Sequence, residues 1–144
     1  MAAYVGYQKG TELLMEGANA GTDAWRLILS NTTPDVVNNT TAVSCGELAT
    51  GGGYTAGGVV ATLTSSSQTA GLYKLILSAP ASPTWTASAA GFAFRYLILY
   101  NLTNTQAVGV WDYGSTVTMN GANGDQFTPT LDAVNGVFTL ATPV

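Results

Sequence analysis

Short apolar runs, each closed by turn residues, dominate the chain from Trp25 onward. Trp25 to Leu29 (WRLIL) ends at SNTTPD. Residues 31–41, with two Thr-Thr pairs, Pro34-Asp35 and Asn38-Asn39, read as a long loop. Residues 50–58, TGGGYTAGG, hold five glycines in nine positions, where the backbone must bend freely. Val59 to Thr64 alternates like a strand, SSSQTAG (65–71) reads as a turn, and Leu72 to Leu77 reads as a further strand. Pro80 and Pro83 break the pattern, because proline cannot donate to a ladder, and Trp85 opens a short strand. Phe92 to Asn101 (FAFRYLILYN) is the longest apolar run, and its near-continuity predicts cover on both faces. Val108 to Tyr113 follows, with a turn at Gly114-Ser115 into Thr116 to Met119. NGANGDQ (120–126) carries two Asn-Gly steps, which signal tight turns. Pro129 restricts residues 127–131 to an edge or bulged strand, and Asn135-Gly136 predicts a last hairpin into Val137 to Leu140.

Residues 1–24 hold the only helical pattern. Thr11 is a candidate N-cap ahead of Leu13, Leu14 and Glu16, and Gly17 is a natural terminator. Such a short helix does not persist alone in water, so it must dock on its own sheet or on a neighbouring subunit. The remaining chain offers short strands at roughly ten-residue spacing, the pattern of a sandwich or barrel. The expected fold is all-β, a jelly-roll-like β-sandwich with a short helical N-terminal segment. Residues 1–24 form an N-terminal arm and short helix, and residues 25–144 the β-sandwich domain. Spacing leaves the strand order open.

Composition narrows the chemistry. The 144 residues are enough for one core. Only 8% are charged, against roughly 25% in an ordinary soluble domain. Four Lys and Arg against eight Asp and Glu leave a net charge of -4, without the basic footprint of a nucleic-acid binder. No run of about 20 apolar residues predicts a membrane span, and MAAYVGYQKGTELL shows no secretory signal pattern. Histidine is absent, which removes the commonest general base, zinc ligand and pH switch. Cys45 is the single cysteine and can form no intrachain disulfide. These features point away from an enzyme. A polar surface made of Thr, Ser, Asn, Gln and Gly loses little when a partner covers it, and interface cores are depleted in charge for that reason. A neutral-skinned monomer is the plain alternative.

Each candidate site has a structural reading beside its chemical one. The TGGGYTAGG stretch lacks the lysine and following helix of a phosphate loop, so it reads as a bend. Asp125 stands alone among Asp112, Asp125 and Asp132 in its own loop, too sparse for a calcium site. The same carboxylates give no specific support for a glycosidase pair. Arg26, Lys74 and Arg95 lie inside strand-like runs and must pair, within the chain or across a subunit boundary. Trp25, Trp85, Trp111, Tyr73, Tyr96, Tyr100 and Tyr113 could stack sugars or bases, but in a sandwich they read as core. No cation near Cys45 would activate its thiol, so it reads as a small buried residue. No catalytic, cofactor-binding or metal-ligating residue is expected.

Taken together, WRLILSNTTPD (25–35), GGGYTAGG (51–58), SSQTAGLYKLIL (66–77), WTASAAGFAFRYLILYN (85–101) and VGVWDYGSTVT (108–118) resemble a family of small virion-associated proteins encoded by tailed bacteriophages. The resemblance runs from about residue 7 onward, and RYLILYN and WDYGS are its most specific parts. It implies a structural virion protein with a β-sandwich fold, and it carries no catalytic residues. The function expected is a capsid decoration (cement) protein on the outer face of an icosahedral shell. Its partners would be the major capsid protein and its own copies, as a homotrimer, with no nucleic acid, membrane or cofactor. The alternatives are a tail, neck or fibre component, or a carbohydrate-binding adhesion module. Candidate interface residues are Tyr4 and Tyr7 in the arm, and Gly51, Gly52, Gly53 and Tyr54 in the glycine-rich loop.

Overall fold

A computed structural model describes residues 2–141. The chain is mostly β, with one short α-helix among the described residues. In chain order the elements are β1 (Ala3–Gly6), α1 (Gln8–Glu16), β2 (Trp25–Ser30), β3 (Val59–Thr69), β4 (Leu72–Ser78), β5 (Trp85–Thr86), β6 (Phe92–Asn101), β7 (Gln106–Met119), β8 (Gln126–Phe127) and β9 (Phe138–Ala141). Seven of them form one antiparallel sheet in the order β1-β7-β6-β2-β3-β4-β9, and β5 pairs with β8 separately. The sheet curls, as twisted strands do when they enclose a core. Residues from its two halves meet there: Trp25, Leu27 and Leu29 of β2, Leu75 and Leu77 of β4, and Phe94, Leu97 and Leu99 of β6. The β5–β8 pair contributes Trp85 and Phe127, whose rings stack at 5.7 Å. The result is an all-β, sandwich-like fold.

The apolar run of β6 is covered on both faces. Alternate residues Tyr96, Ile98 and Tyr100 join Ile28, Val110, Ala107, Tyr7 and Cys45 in a second cluster on the outer face of the sheet. The long segment between β2 and β3 supplies part of that cover through Val36, Ala42 and Cys45. Two register shifts keep the pattern consistent. Phe94 and Leu97 both face the inner core, three residues apart, because the β6–β7 register slips between Phe94 and Tyr96. A second slip places Leu99 opposite Gly109 and Tyr100 opposite Ala107, leaving Val108 as an extra residue. Such a bulge bends its strand and tightens the local twist.

Several elements differ from the sequence expectations. The N-terminal segment is no free arm, because β1 is stitched to β7, Tyr4 opposite Trp111. The helix starts at Gln8 with Tyr7 as its N-cap. Thr11 sits inside it, its hydroxyl bonding back to the Tyr7 carbonyl at 3.2 Å. The stretch 65–69 continues β3, and only Ala70 (φ 50) and Gly71 (φ 80) turn the chain. That is a two-residue hairpin, with both central residues left-handed. Gly114-Ser115 does not break β7, which runs for 14 residues. Residues 127–131 yield only the two-residue β8. β9 pairs with β4 and not with the strand before it, so Asn135-Gly136 belongs to a turn and not to a hairpin.

Candidate functional site

Tyr4 and Tyr7 diverge, because one lies on an edge strand and the other caps a helix. Tyr4 is 40% exposed, and its ring lies on Trp111 with centroids 4.8 Å apart. The ring occupies the space over Gly109, where any Cβ would collide with it. Tyr7 is fully buried in the outer cluster, and its hydroxyl lies beside the Cys45 thiol without a hydrogen-bond partner. Burial pushes both the Tyr7 phenol and the Cys45 thiol above their ordinary pKa. In this fold Tyr7 is therefore a core residue and not a contact.

The glycine-rich loop is bound into the body. Gly51 and Tyr54 close a tight turn through reciprocal main-chain bonds of 2.9 Å. Gly52 (φ 62) lies against the Gly91 carbonyl and Gly53 (φ 107) against that of Thr86, so no side chain fits at either position. Gly51 and Gly53 remain exposed, and Gly52 is half-buried. Tyr54 is buried. Its hydroxyl accepts the Leu29 N–H at 3.2 Å and donates to Glu47 Oε1 at 2.7 Å. Glu47 Oε1 also accepts the Gly57 N–H at 2.5 Å. Tyr54 thus anchors the loop and offers no contact surface.

All four cations have partners inside the chain. Lys9 pairs with Glu12 on the helix. Arg26 donates to the carbonyls of Gly57 and Gly58 at 3.1 and 3.3 Å. Lys74 donates to the Val134 carbonyl at 2.9 Å. Arg95 grips Asp112 bidentately, Nε to Oδ1 at 2.8 Å and the second nitrogen to Oδ2 at 2.9 Å. Several carboxylates are likewise committed. Asp23 accepts from Asn101 and Asn104, and Asp125 accepts the Asn120 N–H. Among the described residues no cluster of three metal-ligating side chains occurs, and no helix is long and apolar enough to cross a membrane.

Trp25, Trp85 and Trp111 are all buried, so none of the three tryptophans offers an exposed stacking face. Exposed apolar side chains include Met15 on the helix, Val60 on β3 and three valines on side-chain-clamped turns. Asp35 Oδ1 accepts the N–H groups of Val37 and Asn38, and Oδ2 accepts from the Asn38 amide. Asp132 repeats this arrangement with Val134 and Asn135. Thr41 and Ser44 clamp the turn around Val43. Val37, Val43 and Val134 are 49%, 89% and 71% exposed. The first two sit on the segment that covers the outer face. Val134 lines a groove with Lys74 and Ile76, whose side chains alternate with the inward Leu75 and Leu77. The D-x-V-N spacing of 35–38 and 132–135 was visible in the sequence as a signal for these turns. No protein-family model, curated protein or solved structure matches the chain.

Proposed function

We propose that this chain is a structural protein of a bacteriophage particle, a decoration protein that docks on the outer face of the shell and ties neighbouring subunits together. The observation that carries the reading is the division of labour among its side chains. The cations, most carboxylates, the tryptophans and the cysteine have partners or burial within the chain, while the outer face presents valines on turns clamped by Asp, Thr and Ser. A rigid apolar protrusion loses little conformational entropy on docking, and its exposure to water is relieved by a partner. Many weak contacts repeated over a lattice add up, and binding to the assembled shell stabilises it by mass action. The resemblance to tailed-phage virion proteins supports the particle as the setting, and the decoration reading takes the major capsid protein as the partner.

The test uses shells stripped of accessory proteins and, separately, isolated tails. The wild-type chain is expected to co-sediment with shells and to raise their temperature of disruption. A Val37→Ser, Val43→Ser, Val134→Ser variant is expected to keep its fold, each exposed change costing no more than about 0.5 kcal/mol, and to lose shell binding. Binding to tails alone would move the protein to the tail, and binding to neither would overturn the reading.

A further inference from the structure

We propose that the free edge of β1 pairs with the same strand of a second copy, antiparallel, about a two-fold axis through Val5. The strand has β7 on one side and no strand on the other among the described residues. All four of its residues are exposed. Its sequence, Ala-Tyr-Val-Gly, has no charge, no proline and no bulge, the devices that normally blunt an open edge.

The register follows from the hydrogen bonds. The Tyr7 N–H donates to the Val108 carbonyl at 2.9 Å. Main-chain groups alternate along an antiparallel ladder, so those of Val5 and Ala3 also face β7. Those of Tyr4 and Gly6 point away. A second copy satisfies them when Tyr4 stands opposite Gly6 of its mate and Gly6 opposite Tyr4, which makes four reciprocal bonds. Val5 then meets Val5 across the axis, in the closer, non-hydrogen-bonded kind of pair. The side chains fit this arrangement. Each Tyr4 crosses a glycine, as it already does over Gly109 within the chain. The two Val5 side chains, 48% exposed in one copy, meet at the mouth of a groove of about 390 Å³ lined by Pro34, Val36 and Val110. The neighbouring Arg95 and Asp112 neutralise each other, so like copies approach without charge repulsion. Four residues a side bury less than the roughly 1,200 Å² of a stable interface. The pair is therefore weak in free solution and strengthened where copies are held side by side. This inference does not depend on the virion reading.

Two variants of the full chain, each with one added cysteine, test it under mild oxidation, with the native Cys45 buried and out of reach. Val5→Cys is expected to form a disulfide-linked dimer, because the two side chains face each other within disulfide reach. Ala3→Cys is expected to form no disulfide-linked dimer, since Ala3 has no second Ala3 opposite it. Sedimentation equilibrium of the wild-type chain should show a concentration-dependent dimer, and Val5→Lys should abolish it. Equal cross-linking of both cysteine variants, cross-linking of neither, or a wild-type trimer unaffected by Val5→Lys would overturn the pairing. Shell binding by monomeric Val5→Lys would leave the proposed function standing on its own.

Discussion

Tyr54 joins three segments through one oxygen: β2 at Leu29, the covering segment at Glu47 and, through Glu47, the end of the glycine loop at Gly57. Replacing it with phenylalanine keeps the ring in the core but leaves the Leu29 N–H without its acceptor. Tyr54→Phe is expected to lower stability by about 1–3 kcal/mol, the cost of stranding a buried polar group. Chemical denaturation measures it, and a change near zero would show that water or another group replaces the hydroxyl. The sequence marked this loop as a place of sharp bends, which it is. It could not show that Tyr54 points inward. An aromatic flanked by glycines has the same local pattern in either orientation, and the partners that decide lie 7 and 25 residues away in the chain. Tyr7 escaped for the same reason, because its burial depends on Cys45 and Tyr100. The tryptophans and Cys45 were easier to place, because large apolar groups and an unactivated thiol belong inside wherever the chain runs.

At the scale of elements, the helix docks through a glycine. Gly10 is buried against β7, and a Cβ there would sit 2.5 Å from both the Ala107 carbonyl oxygen and the Val108 Cα. Alanine ordinarily favours a helix interior by about 1 kcal/mol over glycine. Here the close approach reverses the sign. Gly10→Ala is expected to destabilise by about 1–3 kcal/mol through overpacking, read as a lower Tm, and a raised Tm would refute the contact. The long apolar strands β2, β4 and β6 were legible from pattern alone. β1 was not, because four residues carry too little periodicity and their partner strand lies far along the chain. The polar half of β3 was hidden for a different reason. Its Ser and Thr residues read as turn formers, yet they pair along β4, where the ladder and not side-chain burial holds them.

For the whole molecule, the absence of histidine fixes the shape of the pH profile. No side chain with an ordinary pKa titrates between about pH 5 and 8, so Tm is expected to be flat across that range. On the acid side, Asp35, Asp112 and Asp132 are all held below the usual carboxylate range. Hydrogen bonds from Asn38 and Val37 act on Asp35, the Arg95 guanidinium on Asp112, and those from Asn135 and Val134 on Asp132. A carboxyl lowered in the folded state stabilises fully above its unfolded pKa, near about 3.9. It loses that contribution as pH falls through the folded value. Calorimetry should therefore show a plateau and then a fall below about pH 4. Replacing all three aspartates with asparagine should shallow that fall. A marked slope between pH 5 and 8 would contradict this account.

The bond between β1 and β7 joins Ala3 to Asp112, so the first strand waits for more than a hundred residues before its own partner is made. During synthesis that strand has nothing native to pair with, and contacts this distant in sequence close late. The edge proposed to pair therefore comes into being only once β7 has emerged and folded. A half-made chain cannot pair through that edge by the native route, so the proposed pairing admits only subunits that have already passed the test of folding.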